Sequence, residues 1–287
     1  MNYRHAYHAG NFADVLKHVV LAMVLEHLKR KPTPFRVIDT HAGAGLYALD
    51  SGEAARTGEW RQGIGRLVGA DALPIPPDVE AFMRPYLATV RELNSDRAIR
   101  IYPGSPTLAL ALMRPNDRLI ANELHPEDAM SLRAAIGRDR RAKVLQIDAW
   151  QAIRSLLPPK ERRGVILIDP PFEAQGDLER LAAGLADGMR RFATGVYLLW
   201  LPIKDRAAVE RFIGHVVGMG YDELLYAELC VRTFSAQDRL SATAMLIANP
   251  PFGLDLGLRV VLKHLAVVLA QGPGASHHLK WLTGGAP

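Results

Sequence analysis

Residues 163–172 read R-G-V-I-L-I-D-P-P-F. Val165 to Ile168 is an unbroken apolar run rich in β-branched residues, the pattern of a strand buried on both faces. It stops at Asp169-Pro170-Pro171-Phe172, because proline has no N–H to give to a ladder. The Asp169 carboxylate is thereby set at the C-terminal tip of a strand, where open α/β sheets bind their ligands. The two prolines fix a stiff turn that holds this carboxylate and the Phe172 ring at a defined separation. An acceptor, a rigid turn and an aromatic face suit a flat ring that carries an exocyclic amine. The plain alternative is a strand end followed by an ordinary Pro-Pro turn, and the tetrapeptide alone does not choose. Asn249-Pro250-Pro251-Phe252 repeats the pattern at a second strand end and reads best as a structural terminus.

Outward from this strand the chain alternates between strand and helix patterns. Val15, Leu16, Val19, Val20, Met23, Val24 and Leu28 recur at helical spacing, and the run closes on Lys29-Arg30-Lys31-Pro32, basic residues at a helix end followed by a breaker. Phe35 to Asp39 is the first strand and runs into T-H-A-G-A-G at 40–45, a loop whose glycines let backbone approach a ligand. Residues 51–94 hold no convincing strand, with helices expected over 59–67 and 79–93, and read as an inserted helical subdomain within one domain spanning 1–287. The sheet is expected to resume at Ile99 to Tyr102, then Arg118 to Asn122, Lys143 to Ile147, the Asp169 strand and Val196 to Leu201. Glu223 to Val231 and Ala242 to Ala248 read as a terminal antiparallel hairpin, followed by a tail. The fold class is α/β, a Rossmann-like doubly wound sheet with Asp39, Glu123, Asp148 and Asp169 at successive strand tips.

Composition bounds the setting. The 287 residues are 49% hydrophobic, enough for a sizeable core, and the net charge is +5, which agrees with a polyanionic partner. One cysteine, Cys230, excludes an internal disulfide framework. No apolar h-region opens the chain and no run approaches a membrane span, so a cytoplasmic protein with no membrane association is expected. His5, His8, His18 and His41 lack metal-ligand spacing, and no metal is expected. Lys17 reads either as a phosphate contact or as a residue on a solvated helix face. Arg138, Arg140, Arg141 and Lys143, with Lys160, Arg162 and Arg163, read either as a track for an RNA backbone or as solvated loops.

D-P-P-F matches the D/N-P-P-Y/F/W motif of amino-methyltransferases, and the assembled motifs carry the likeness further. Y-R-H-A-Y-H-A-G-N-F-A-D-V-L-K-H at 3–18, D-T-H-A-G-A-G at 39–45, Y-P-G-S-P at 102–106, E-L-H-P at 123–126, I-D-P-P-F at 168–172 and R-F-A-T-G at 191–195 stand together over nearly the whole chain. In this the sequence resembles the bacterial 23S ribosomal RNA adenine-N6 methyltransferases of the RlmJ type. The resemblance implies a class I methyltransferase sheet, S-adenosylmethionine as cofactor and 23S ribosomal RNA as partner; a monomer is expected. It implies cofactor contacts from His18, His41, Ser105, Glu123, Asp148 and Ala149, a catalytic Asp169, and substrate contacts from Tyr3, Pro170 and Phe172. Two positions depart from the family pattern: Phe172 stands where tyrosine is frequent, and Ala149 where glycine is frequent. The residues alone leave rivals open. Gly43, Gly45 and Ala48 fit the dinucleotide pattern of a dehydrogenase, although the ribose-binding acid it needs about 20 residues on is missing. A DNA adenine methyltransferase would share the chemistry, a protein-glutamine methyltransferase would favour Asn at position 169, and a non-catalytic RNA-binding module would need neither the glycine loop nor the row of acids.

Overall fold

The computed structural model describes residues 5–50, 52–70, 72–94, 98–233 and 240–285. In chain order its strands are β1 (Arg36–Asp39), β2 (Leu46–Ala48), β3 (Ile101–Pro103), β4 (Arg118–Asn122), β5 (Ala142–Leu145), β6 (Gly164–Ile168), β7 (Val196–Pro202), β8 (Leu224–Cys230), β9 (Ala242–Ala248) and β10 (Ser276–Thr283). The helices are α1 (Phe12–Lys29), α2 (Gly52–Thr57), α3 (Gly65–Val68), α4 (Pro77–Glu92), α5 (Ser105–Leu112), α6 (Pro126–Ile136), α7 (Ala149–Leu156), α8 (Asp177–Arg191), α9 (Arg206–Gly218) and α10 (Leu254–Val268).

Eight strands form one sheet in the order β10-β8-β9-β7-β6-β1-β4-β5. The five from β7 to β5 are parallel, while β9 runs against both β7 and β8, and β10 against β8. β6 is buried at every position, as its unbroken apolar run requires, and it is the fourth strand of this sheet along the chain. The chain leaves β1 toward β4 and β5, then crosses back to β6 on the other side. That reversal opens a crevice at the C-terminal edge of the parallel strands.

Two expectations are corrected. The strand near Ile99–Tyr102 does not join the large sheet. As β3 it pairs only with β2, Tyr47 opposite Tyr102, in an antiparallel ribbon that closes the base of the segment between them. A strand pattern reports local extension, and its partner is chosen elsewhere. The C-terminal stretch is not a tail: α10 buries Leu254, Leu258, Val261, Leu262 and Leu265, and β10 adds an edge strand to β8. Lys263 and His264 interrupt the apolar run in sequence, yet at 3.6 residues per turn they leave an apolar stripe intact.

The segment expected as a helical insertion carries α2, a 3-10 turn over Glu59–Gln62, α3 and α4; α4 packs on α1 and α10. α1 is the central buried helix. Asn11 caps it, its side chain accepting from the backbone N–H groups of Ala13 (2.9 Å) and Asp14 (3.1 Å). Every residue from Phe12 to Leu25 is buried, and side chains such as Leu16 and Val19 each contribute roughly 1.5–3 kcal/mol on burial. Asp14, Lys17 and His18 lie within that apolar stretch.

Candidate active site

Two clefts meet at the C-terminal edge of the parallel strands. The first, about 230 Å³, is walled by the loops after β1, β4, β5 and β6. The second, about 370 Å³, lies between the N-terminus of α1, the 3-10 turn and the end of β7. His5, Lys17, Asp169 and Pro171 belong to both walls.

The glycine loop after β1 turns through Gly43 (φ 60°) and Gly45 (φ 83°), and a Cβ on Gly43 would collide with the Tyr47 hydroxyl. Glu123, at the tip of β4, fastens this loop: its carboxylate accepts from the N–H of Gly43 (2.8 Å) and of His125 (2.8 Å). Burial raises its carboxyl above the ordinary glutamate value, and those hydrogen bonds oppose the rise. Asp148 caps α7 by accepting from the Gln151 N–H (2.9 Å). Ala149, the first residue of α7, is buried and is not among the left-handed residues, so its side chain meets no backbone penalty where the family often has glycine. Ser105 donates its hydroxyl to Asp39 at 2.6 Å, and Asp39 also accepts from the His41 N–H at 3.3 Å. Asp39 therefore holds the loop from behind. Burial pushes its carboxyl up to about 7, against the Ser105 hydrogen bond and the Lys17 charge.

Both expected histidines line the first cleft and are neutral. Burial lowers His18 to about 3 and His41 to about 4. His18 Nδ1 meets the Tyr102 hydroxyl at 2.7 Å, its ring stacks on Tyr102, and its buried Nε2 has no partner among the described residues. His41 Nδ1 meets Thr40 Oγ1 at 2.9 Å, and that hydroxyl donates to the Leu167 carbonyl. The Thr40 proton being used, His41 carries its own on Nδ1, which leaves Nε2 as an acceptor.

Asp169 stands at the tip of β6. Its Oδ2 accepts from Lys17 Nζ at 2.5 Å; Oδ1 has no hydrogen bond among the described residues. Lys17 also pairs with Asp14 Oδ1 at 2.9 Å, and Asp14 Oδ2 reaches His5 Nε2 at 3.0 Å and the Gly10 N–H at 2.9 Å. Burial would depress the Lys17 ammonium, but Asp14 and Asp169 hold it well above the usual lysine value. Asp14 would be raised by burial, and His5 and Lys17 hold it well below the usual range. Neither sequence reading of Lys17, phosphate contact or solvated face, describes this arrangement. The available signal was a charged pair at i, i+3 on an apolar face, Asp14 and Lys17 among Val15, Leu16, Val19 and Val20.

Pro170 lines the first cleft. Phe172 (φ 50°) lines neither; its ring packs edge-on against Trp200 at 5.8 Å, and Trp200 is the aromatic wall of the second cleft. Tyr3 lies outside the described residues. Lys143 lies in β5 itself, and Arg138, Arg140 and Arg141, with Lys160, Arg162 and Arg163, lie in the loops before β5 and β6 at the edge of the sheet opposite both clefts. Asn249 (φ 54°) is there too, its amide donating to the carbonyls of Ala193 (2.7 Å) and Gly195 (2.8 Å). Among the described residues no group of three or more His, Cys, Asp or Glu is placed to hold a metal ion, and no helix is long and apolar enough to cross a membrane.

A family model described as "Ribosomal RNA large subunit methyltransferase D, RlmJ" matches residues 32–283. The chain belongs to this family. It is 41% identical over 282 residues to Ribosomal RNA large subunit methyltransferase J of Escherichia coli (strain K12), covering 98% of this chain and 99% of that protein. The protein of the same name from Haemophilus influenzae is 38% identical over 284 residues, 99% of each chain. A crystal structure of a Legionella pneumophila protein matches with a TM-score of 0.85 at 28% identity, over 96% of this chain and 98% of that one. The RlmJ-family assignment agrees with the class I order of the sheet and removes the dehydrogenase reading of Gly43, Gly45 and Ala48.

Proposed function

We infer that this RlmJ-family protein transfers a methyl group from S-adenosylmethionine to the exocyclic N6 of an adenine in 23S ribosomal RNA. One observation carries the reading: Asp169 lies in the wall common to two adjoining clefts, so one carboxylate faces a cofactor on one side and a base on the other. The first cleft fits the cofactor. It offers the acidic tips of β4 and β5 for hydroxyls, the buried Nε2 of His18 for a polar partner, and two neutral imidazoles that do not repel a sulfonium. In this reading His18, His41, Ser105, Glu123, Asp148 and Ala149 hold the cofactor, which supplies the methyl group as an electrophile and leaves as S-adenosylhomocysteine.

The chain's own task is to make N6 a nucleophile. Its lone pair is delocalised into the adenine ring. Asp169 Oδ1 accepts one N6 hydrogen and the Pro170 carbonyl the other, which favours a pyramidal nitrogen and localises the lone pair. Lys17 fixes Oδ2, which holds the Asp169 carboxylate in place where positive charge develops on N6. Asp169 needs no proton transfer before attack; the proton shed by the methylated N6 afterwards leaves along its hydrogen bond to Asp169 and on to solvent. A stacked or paired adenine must be splayed into the second cleft at a cost of a few kcal/mol, offset in part by aromatic contact with Trp200 and the Phe172 ring behind it, and by Tyr3. The protein acts as a cytoplasmic monomer and needs no metal.

The test is incubation with methyl-labelled S-adenosylmethionine and, separately, protein-free 23S RNA, assembled large subunits and genomic DNA, with Asp169→Ala alongside. Label recovered as N6-methyladenine in RNA and lost in the variant is the expected result. Label in DNA alone transfers the reading to DNA; label in neither overturns it.

A further inference from the structure

The charge of this protein is not where its chemistry is. Four loops enter the parallel strands from the edge opposite the clefts: 29–36 before β1, 114–118 before β4, 138–141 before β5 and 160–163 before β6. They carry twelve Lys and Arg against three acids, nine net positive charges, whereas the whole chain has five; the remainder is therefore net negative by four. A polyanion attracted by the protein's field is drawn to that edge and not to the row of acids at the cleft.

The loops form one surface. β6, β1, β4 and β5 are neighbours, and backbone bonds tie the loops together: Arg36 N–H to the Arg163 carbonyl (2.9 Å), Arg118 N–H to Phe35 (3.1 Å) and Leu119 N–H to Arg141 (2.9 Å). Four strands at about 4.8 Å spacing give this edge a width of roughly 14 Å. Some of its cations are spent on the scaffold. Arg114 and Arg163 both donate to the Thr33 carbonyl (3.1 and 3.0 Å), and Arg36 and Arg141 pair with Glu161 and Asp139. Arg30, Lys31, Arg138, Arg140, Lys160 and Arg162 are exposed and make no ion pair among the described residues.

A second feature lies beside them. Strand β9 runs against β7, so the Asn249-Pro250-Pro251-Phe252 turn emerges at this same edge. Asn249 is fastened to two carbonyls, and Phe252 is held out at 88% exposure, beside a groove of about 480 Å³ lined by Met23, His27, Arg30, Phe82 and Arg84. An exposed aromatic ring flanked by guanidinium groups is the pairing that stacks an unpaired base while holding its phosphate.

We propose that this edge is a second RNA-contact surface, which holds the phosphate backbone of the substrate RNA away from the target nucleotide, with Phe252 as a stacking point. The proposal rests on the RNA-methyltransferase reading above. It divides labour on one molecule: the cleft edge reads and modifies one base, and the basic edge supplies affinity through counterion release, which calls for many exposed cations and no particular sequence.

The test compares wild type with a sixfold variant, Arg30→Gln, Lys31→Gln, Arg138→Gln, Arg140→Gln, Lys160→Gln and Arg162→Gln. The substrates are full-length protein-free 23S RNA and a short hairpin cut around the methylated adenine. Expected are a KM for the long RNA raised about tenfold or more, a salt dependence of that KM shallower by several units of log–log slope, and unchanged kcat. The KM for the hairpin is expected to stay as in wild type. Phe252→Ala alone is expected to raise the KM for the long RNA about fivefold. The three pairs of substitutions are also tested separately with a melting curve for each, so that misfolding of the sixfold variant does not decide the matter. An unchanged KM and salt slope for the long RNA overturns the proposal, and so does an equal rise for both substrates. If wild type methylates no RNA, it is the RNA-methyltransferase reading that has failed, and this is seen before any variant is made.

Discussion

The chain contains the same tetrapeptide pattern twice, and the two copies end at opposite edges of one sheet. Asp169-Pro-Pro-Phe172 closes β6, which is parallel to its neighbours, and its carboxylate reaches the clefts. Asn249-Pro-Pro-Phe252 closes β9, which is antiparallel, and its amide is consumed by the carbonyls of Ala193 and Gly195. Both turns hold their first residue at a strand tip and throw an aromatic ring beyond it. Phe172 packs on Trp200, whereas Phe252 is left in solvent. A motif of four residues thus fixes a local shape, and strand polarity decides what that shape faces.

The comparison is sharpest at its first residues. Asp169→Asn keeps the size of the side chain and removes the charge that faces the developing cation, so kcat/KM is expected to fall by about a factor of a thousand with cofactor affinity retained. Asn249→Asp makes the second tetrapeptide a copy of the first, yet is expected to leave kcat unchanged. It places a carboxylate against two carbonyls and should cost about 1–3 kcal/mol in urea unfolding. A gain of methyl transfer at the second site, or an active Asp169→Asn, would break the comparison.

Lys17 sets the cleft edge apart from the rest of its own helix. Lys17→Met removes the buried cation between buried Asp14 and partly buried Asp169 and should destabilise the fold by about 3 kcal/mol or more, with loss of transfer. Lys29→Met, at the other end of α1, breaks a half-exposed pair with Glu26 and should cost less than about 1 kcal/mol. Equal losses in denaturant unfolding would mean that Lys17 does not hold the site together.

Two desolvated histidines, one buried and one partly exposed, give the cleft edge a pH signature. His18 and His41 titrate near 3 and 4 when folded against an ordinary 6.5, so between those values the unfolded chain binds protons that the folded chain refuses. Their contribution to stability is complete above 6.5 and is lost progressively as the pH falls toward 4. Asp39 has the opposite sign. Raised to about 7 from 3.8, it favours the folded state at low pH, and that contribution disappears as the pH rises through 7. Melting temperatures from pH 4 to 8 should show the acid-side decline flattened in His18→Asn; parallel curves would remove His18 as a cause. The smallest effect belongs to the exposed ring: Phe252→Ser should leave stability within about 0.5 kcal/mol, while Phe172→Ser, which strips the support from Trp200, should lower it measurably.

The elements most legible from sequence were those whose signal is local. The apolar run from Val165 to Ile168 and the prolines after it located β6 and its tip, and the G-x-G spacing located the loop after β1. The segments that misled were those whose partners lie far along the chain. Ile101–Pro103 is extended, but only pairing with Leu46–Ala48 removes it from the large sheet. The end of the chain looked like a tail because the apolar face of α10 becomes visible only against β8 and α4. Of the site residues, Glu123, Asp148 and Asp169 follow from strand ends. The role of Lys17 does not, because nothing near it in sequence announces Asp169.

The sequence by itself determined where β1, β4 and β6 end, that Asp39, Glu123 and Asp169 sit at those ends, and that α1 carries an apolar stripe, because apolar periodicity and prolines act within a few residues. Only the tertiary structure decided that Lys17 meets Asp169 across 152 positions of chain, that Trp200 rather than Phe172 walls the second cleft, and that two like tetrapeptides point to opposite edges. Strand direction and buried ion pairing depend on which segments become neighbours. That is settled by the packing of the whole core and is not written in any single stretch.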